Sequence, residues 1–250
     1  MSHNSSKLST SLTRKERRSA IIGMVLGDGS LSRNRYRDGS YAGNALLRIA
    51  HSVKQKKYLE WKRDIVQPMF GYPLILHDKP HVTDGKTYYN TWLVTRVNPQ
   101  LTKLYPLLYN LTTKRKFVTR NVLDMLDDRA VAIWYMDDGC LSKTVGRGAV
   151  VILATNSFTL EENELIRDWF YDRYSVSFNI NEHKFSGTYN LRRGISDSHK
   201  LLDAIAPYVI DSMKYKIDYP LPKRSGGWYN LPIKDPGPIK NMGDDIVQSS

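Results

Sequence analysis

The chain has 250 residues, of which 41% are hydrophobic and 11% aromatic, enough to bury a sizeable folded core. It has no apolar run near the ~18 residues of a membrane-spanning helix, and a single cysteine, Cys140, which excludes an internal disulfide and a zinc site built from cysteines. Its net charge of +12, concentrated in the first half, favours a polyanionic partner, most often nucleic acid.

The first predicted element is a helix that begins near Thr13. Residues 1–12 before it are rich in serine and lack an apolar period, so we expect a disordered tail. Thr13 and Glu16 in "TRKE" have the spacing of a capping box, in which each bonds the backbone of the other. An apolar run then leads to Asp28, at the helix end where the dipole disfavours a carboxylate by roughly 0.3–1 kcal/mol.

The elements that follow occur twice along the chain. "IIGMVLGDGSL", residues 21–31, is repeated as "VAIWYMDDGCL", residues 131–141. Each motif precedes two strand-like segments, a helix, two further strands and a helix containing proline. We predict the helices in 53–70, 101–109, 158–174 and 201–209, and the strands in 31–37, 45–50, 72–76, 87–95, 141–144, 149–155, 176–182 and 188–192.

This order, αββαββα twice, predicts an α+β fold with pseudo-twofold symmetry. The repeats would span 13–120 and 121–222, with 223–250 as a C-terminal extension. Helices that are apolar nearly all round bury most easily against each other, so we expect the two motif helices at the centre. Gly23, Gly27 and Ala132 would permit their close approach.

The paired carboxylates predict a metal site. We expect Gly29 and Gly139 to be the left-handed residues that end the motif helices, so that Asp28 and Asp138 come together. Adjacent carboxylates repel unless cations lie between them, which favours a shared Mg²⁺ site. A single Asp-Gly pair could instead be turn chemistry, but its duplication favours the metal site.

The two motifs resemble those of the LAGLIDADG homing endonucleases, in the branch whose single chain carries both. "IIGMVLGDG" is similar to the first motif and "VAIWYMDDG" to the second, and the resemblance extends through "SFTLEENELI" and "APYVIDSMKYKI", over about residues 13–220. In the second motif Ile133 replaces a glycine and Asp137 a small residue. It stays open whether Asp137 contributes its side chain or only its main-chain carbonyl.

The resemblance implies a monomeric, site-specific homing endonuclease that cuts both strands of a long asymmetric DNA target. Two or three Mg²⁺ ions would lie at the repeat interface, bound by Asp28 and Asp138 with help from the carbonyls of Gly27 and Asp137.

The resemblance also places a catalytic lysine late in each repeat. Lys216 in "MKYKI" matches that position, and "KRKFV" offers Lys116, with Lys114 as the alternative. Basic pairs of this kind could instead be phosphate clamps on a solvated surface.

Recognition of the target would fall to two antiparallel sheets that form a DNA-binding saddle, with alternate side chains reading bases in the major groove. Arg48 is an isolated cation in an apolar strand, although a solvent-facing arginine would give the same pattern. Tyr88, Tyr89 and Trp92 are expected to pack rather than to stack on bases. The predicted DNA contacts are Ser32, Arg33, Arg35, Arg37, Arg48, His51, Lys143, Arg147, Lys184, Arg192 and Arg193.

Other functions remain open at this point. The fold and charge would also suit a maturase that stabilises a folded group I intron RNA, or a silent DNA-binding regulator, although the Asp pair favours nuclease chemistry. No Gly-rich phosphate loop is present, which argues against ATP-driven chemistry. We expect an intracellular protein without a membrane anchor, in a bacterial cytoplasm or in an organelle such as a mitochondrion or chloroplast.

Overall fold

The computed structural model describes residues 8–36, 40–144 and 148–219. Its helices are α1 (Arg14–Leu26), α2 (Lys56–Val66), α3 (Pro99–Leu108), α4 (Arg120–Leu123), α5 (Asp128–Asp138), α6 (Leu160–Tyr174) and α7 (Ile195–Ile205). Its strands are β1 (Ser30–Arg35), β2 (Tyr41–Ser52), β3 (Leu76–Thr83), β4 (Lys86–Val94), β5 (Gly139–Thr144), β6 (Gly148–Leu153), β7 (Asn179–His183) and β8 (Thr188–Gly194). Short 3₁₀ turns occupy Val53–Gln55, Gln67–Met69, Ala206–Tyr208 and Asp211–Lys216.

Two four-stranded antiparallel sheets confirm the predicted α+β repeats. The strand orders are β1-β2-β4-β3 and β5-β6-β8-β7, so the second sheet copies the first. Each sheet is preceded by its motif helix, α1 or α5, and the short α4 lies between the repeats. Among the described residues, no helix is long and apolar enough to cross a membrane.

Side-chain caps explain where the long helices begin. Thr13 accepts a hydrogen bond from the Glu16 N–H at 3.3 Å, and Glu16 Oε2 accepts one from the Thr13 N–H at 2.8 Å, which confirms the predicted capping box. Thr159 and Glu162 form the same box at the start of α6. The starts of α1 and α6 are therefore set by local chemistry that the sequence shows, whereas α2 and α7 begin without a side-chain cap.

Residues 8–12, inside the segment expected to be a disordered tail, contact the fold. Leu12 is 8% exposed, and the Trp61 indole N–H donates to the Leu8 carbonyl at 3.1 Å. Residues 1–7 and the predicted C-terminal extension lie outside the described residues.

The motif helices α1 and α5 pack against each other at the centre, as predicted. Every residue from Ser19 to Leu26 in α1, and from Arg129 to Met136 in α5, is buried. A Cβ placed on Gly23 would lie 2.9 Å from the Ala130 carbonyl carbon, so the two backbones touch there. Glycine at this position lets the two helices approach closely, and at their C-terminal ends Gly27 lies against the side chain of Asp137. Ala132 is also buried.

The predicted left-handed glycines are wrong, and a different constraint requires glycine at both positions. Gly139 has φ −78°, and Gly29 is not among the described glycines with positive φ. A Cβ on Gly29 would lie 2.6 Å from the Met24 carbonyl oxygen, and one on Gly139 would lie 2.6 Å from a ring carbon of Tyr135. Both turns fold back on their own helix, and there is no room for a side chain.

The third strand lies later than predicted. The Gln67 amide donates to the Tyr72 carbonyl and accepts from the Leu74 N–H, both at 2.8 Å, which holds this segment as a loop. The strand begins only at Leu76 and ends in a two-residue hairpin, where Asp84 and Gly85 have φ 51° and 70°. Asp-Gly is a typical sequence for a turn with two positive φ angles, so the signal was present in "TDGK".

Candidate active site

The ends of α1 and α5 place two motif aspartates beside each other. Gly27 caps α1, Asp28 follows it, and Asp138 is the last residue of α5. The Asp28 N–H donates to Asp137 Oδ2 at 3.2 Å, and a Cβ on Gly27 would lie 2.9 Å from Asp137 Cγ. The side chain before one motif aspartate therefore supports the backbone of the other.

Burial and neighbouring negative charge raise the pKa of both Asp28 and Asp138 at this junction. Burial raises the pKa of Asp138 to about 7, and the charges of Asp137 and Asp28 add to the effect. Burial likewise raises the pKa of Asp28, followed by the charge of Asp137. The charge of Asp28 thus acts on Asp138, while the carboxylate that contacts the Asp28 turn directly is that of Asp137. A divalent cation would relieve this repulsion, and carboxylate and carbonyl oxygens are the ligands that Mg²⁺ prefers.

One lysine from each repeat reaches the same junction. Lys116 Nζ donates to the carbonyls of Gly27 at 3.2 Å and Gly29 at 3.4 Å, and Lys216 Nζ donates to the Asp137 carbonyl at 2.9 Å. Burial lowers the pKa of both lysines against the attraction of the aspartates. The two ammonium groups thus contact the very carbonyls expected to assist a metal.

The structure favours Lys116 over Lys114 as the lysine of the first repeat. Lys114 is exposed, with φ 59°, and its backbone N–H bonds the Asn110 carbonyl in a surface turn. Lys116 is the residue whose ammonium group points to the motif ends.

A buried lysine that the sequence reasoning missed completes the junction. The side chains of Lys62 and Asp137 are both 0% exposed, and Lys62 Nζ lies 2.6 and 2.8 Å from the two Asp137 oxygens. Lys62 also lies 4.3 Å from the centre of the Tyr58 ring. The detectable signal was a lysine on the apolar face of α2, four residues after Tyr58 and three before Ile65.

His51 lies at this junction and not on the exposed face of the sheet. The prediction that it contacts DNA is wrong, because the alternation of β2 puts His51 on the same buried face as Leu47 and Ile49, and it is 5% exposed. Its Nδ1 lies 3.5 Å from Asp28 Oδ2. Burial, followed by the charge of Lys62, lowers the pKa of His51 to about 3, so the ring is neutral. Asp28, His51 and Asp137 offer ligand atoms within 4.8 Å of one another.

The exposed faces of the two sheets carry part of the predicted DNA contacts. Arg48 is exposed between buried Leu47 and Ile49, as the alternation predicts. Arg192 is exposed next to buried Leu191 in the second sheet. Ser32 is half-buried on β1, and Lys184 is exposed in the turn after β7.

The other predicted contacts differ in position. Arg33 is half-buried, donates to the Gly43 carbonyl at 3.0 Å and lies over the Tyr41 ring. Arg193 lies on the opposite face from Arg192 and pairs with Asp197 at 2.6 Å. Arg35 and Lys143 lie on β1 and β5, while Arg37 and Arg147 fall outside the described residues.

The aromatic residues of β4 do not all pack as expected. Tyr88 and Tyr89 are 52% and 55% exposed, whereas Trp92 is half-buried. The β3–β4 hairpin extends beyond the core, since the residues of β3 after Leu76 are exposed. Both tyrosines lie on this extension, and about half of each is therefore exposed.

Comparison with known proteins identifies a family that this chain matches. A model of the LAGLIDADG DNA endonuclease family matches residues 18–201. A protein named Protein RecA from Mycolicibacterium flavescens is 28% identical over 205 residues, which are 79% of this chain and 45% of that protein. The probable intron-encoded DNA endonuclease 3 of Mycosarcoma maydis is 28% identical over 129 residues, 50% of this chain and 91% of that protein.

Among solved structures, the homing endonuclease I-WcaI bound to its DNA recognition sequence has a TM-score of 0.69 at 20% identity, covering 86% of this chain and 92% of that chain. At this identity the likeness shows a shared fold. The chain spans about half the length of the RecA-named relatives that it matches, so that name transfers no activity to it.

Proposed function

This chain belongs to the LAGLIDADG DNA endonuclease family, and we propose that it is a site-specific homing endonuclease that hydrolyses both strands of a long asymmetric DNA target with Mg²⁺. One observation carries this proposal: Asp28 and Asp138 share one electrostatic site that Lys116 and Lys216 also reach, one lysine from each repeat. One aspartate and one lysine from each repeat would supply a set for each of the two DNA strands, so a single chain with both repeats could cut both without a second copy. We therefore propose a monomer.

The proposed metal ligands are the carboxylates of Asp28 and Asp138, with the carbonyls of Gly27 and Asp137. Bound Mg²⁺ supplies Lewis-acid stabilisation of the phosphate and lowers the pKa of an attacking water. The oxygen-only set and the repulsion between the carboxylates both fit a hard divalent cation.

The lysines have a role that does not depend on the metal. Each carries a positive charge into a partly buried site, where charge–charge attraction is stronger than in water. We propose that Lys116 and Lys216 stabilise the negative charge that develops on the phosphate, one at each strand. Their contacts with the motif carbonyls hold the ammonium groups at the helix ends.

The exposed sheet faces supply a surface for duplex DNA. Arg48 and Arg192 project from the middle of their sheets, and a two-stranded β-ribbon fits the major groove. Intron RNA binding remains the alternative of a different class. An RNA-binding surface has no need of two ionisation-strained aspartates at a helix junction, which favours the nuclease.

Cleavage of a tiled genomic DNA library tests the proposal. The unmodified protein, Asp28→Asn and Asp138→Asn are compared with Mg²⁺ and with EDTA, and Asp78→Asn is the control because Asp78 is an exposed residue paired with Lys56 at 2.7 Å. We expect metal-dependent breaks at one long sequence, lost in the two motif variants and retained in the control. Full cutting by either motif variant would contradict the assigned ligands. Acceleration of intron splicing without any DNA cutting would favour the maturase.

A further inference from the structure

We propose that Lys62 and Asp137 are positioning residues that hold the metal-binding turn at Asp28 in place. The inference rests on the proposed function, because it assigns to this buried ion pair the task of fixing a catalytic carboxylate. It extends the active site to α2, an element that contributes no predicted ligand.

The contacts that carry the inference form a chain from α2 to α1. Lys62 Nζ bonds both oxygens of Asp137, at 2.6 and 2.8 Å, so this carboxylate has a single orientation. Asp137 Oδ2 in turn accepts the Asp28 N–H at 3.2 Å. The backbone of Asp28 is thereby hydrogen-bonded to the side chain of Asp137 in the other repeat, and Lys62 fixes the orientation of that side chain.

His51 adds a contact to the carboxylate of Asp28 itself. Its Nδ1 lies 3.5 Å from Asp28 Oδ2 and its Nε2 lies 3.0 Å from Lys62 Nζ. The ring packs against Tyr58, with 5.1 Å between the ring centres. Asp28 is therefore contacted at its backbone and at its side chain by one connected group of buried residues.

Packing alone does not account for this charged pair. Replacing a buried ion pair by apolar residues of similar volume is often neutral or stabilising, so stability does not require it. The second repeat illustrates this: Lys62 is the seventh residue of α2, and the seventh residue of α6 is Ile166, also buried. Likewise, the residue preceding the first motif aspartate is Gly27, where the second motif has Asp137.

The two side chains that support Asp137 and Asp28, those of Lys62 and His51, both come from the first repeat. In the second repeat Thr155 occupies the place of His51, because it lies two residues after buried Leu153 as His51 lies two residues after buried Ile49, and its hydroxyl donates to Asn163 of the same repeat. Asp28 therefore receives support that the corresponding residues do not supply in the second repeat. The two strands of a target should depend unequally on Lys62 and Asp137.

Two double variants separate positioning from stability. Lys62→Met/Asp137→Asn and Lys62→Met/Asp137→Ala both remove the buried charges, but only the first keeps an oxygen that can accept the Asp28 N–H. Lys56→Met is the control, because Lys56 lies on the same helix in an exposed pair with Asp78. Melting temperature, DNA affinity in Ca²⁺ and single-turnover cleavage of each strand are measured for all of them.

We expect all variants to bind DNA like the unmodified protein. The Ala double variant should cut roughly 10- to 100-fold more slowly, more on one strand than on the other, so that nicked DNA accumulates. The Asn double variant should fall between it and the unmodified protein, and Lys56→Met should cut normally. If the Ala double variant cuts as fast as the unmodified protein, the inference is wrong and the proposed function stands. If the unmodified protein cuts no DNA, the proposed function is wrong and the inference falls with it.

A second measurement decides the matter if the double variants do not fold. In a crystal structure of the unmodified protein with uncleaved target DNA and Ca²⁺, the Asp28 N–H should still lie within about 3.5 Å of an Asp137 oxygen that Lys62 contacts. A longer separation would overturn the inference without any variant.

Discussion

Gly23→Ala tests the contact on which the whole site depends. Gly23 lies in the middle of α1, where an added Cβ would lie 2.9 Å from the Ala130 carbonyl carbon, 3.0 Å from its Cα and closer still to its oxygen. All three atoms belong to the backbone of α5, so no side-chain rotation can relieve the overlap. The two helices must move apart.

The magnitude follows from two opposed effects. Alanine improves helix propensity over glycine by about 1 kcal/mol. Overpacking typically costs about 1–3 kcal/mol, and a clash with backbone in a fully buried interface belongs at or above the upper end. We expect a net loss of about 2 kcal/mol, which for a domain of this size lowers the melting temperature by roughly 4–8 °C.

Thermal unfolding followed by circular dichroism measures this effect, with Gly71→Ala as the control. A Cβ on Gly71 would meet nothing within 4 Å, so this variant should melt like the unmodified protein. Cleavage by Gly23→Ala below its melting temperature should also slow, because Asp28 and Asp138 lie at the ends of the separated helices. An unchanged or raised melting temperature would refute the backbone contact between α1 and α5.

Three further predictions concern charged residues at the site and on the sheets. The pKa of Asp138 is about 7 against an ordinary 3.8, so the contribution of this residue to stability without metal should fall as pH rises between these values, whereas His51, with its pKa lowered from 6.5 to about 3, contributes in the opposite direction. Melting curves in EDTA test this by difference: as pH rises from about 4 to about 7, the unmodified protein should lose stability relative to Asp138→Asn, and Mg²⁺ should reduce this change. A difference between the two proteins that does not vary with pH would contradict the prediction. Lys116→Met or Lys216→Met should slow cleavage roughly 100-fold with little change in DNA affinity. A loss of DNA affinity as large as the loss of cleavage rate would indicate that the lysines bind phosphate on the protein surface and do not act in the reaction. Arg48→Ala should weaken binding of the target by about tenfold or more. Arg193→Ala should weaken it less, because Arg193 lies on the opposite face of its sheet from Arg192 and pairs with Asp197. Equal effects of the two would contradict the assigned DNA face.

The sequence by itself determined the plan of the fold and supplied candidate residues for the site. The duplicated apolar motif ending in Asp-Gly indicated two repeats with central helices, because a helix that is apolar all round has to pack against another. Local chemistry also determined the start of α1 at Thr13, since a capping box needs only residues three apart. The lysines late in each repeat were found by resemblance, and Lys116 and Lys216 do reach the motif ends.

Only the tertiary structure decided which polar residues are buried at the ends of the motif helices and which are exposed on the sheets. His51 was predicted on the DNA-facing surface, but the register of β2 turns it inward to Asp28, and a pattern of letters does not reveal which face of a strand is covered. Lys62 was not predicted as a site residue, because a lone lysine in a helix is usually solvated and its partner Asp137 lies 75 residues away along the chain. A buried charge is stable only beside its partner, and that partnership exists only once α2 and α5 are packed together.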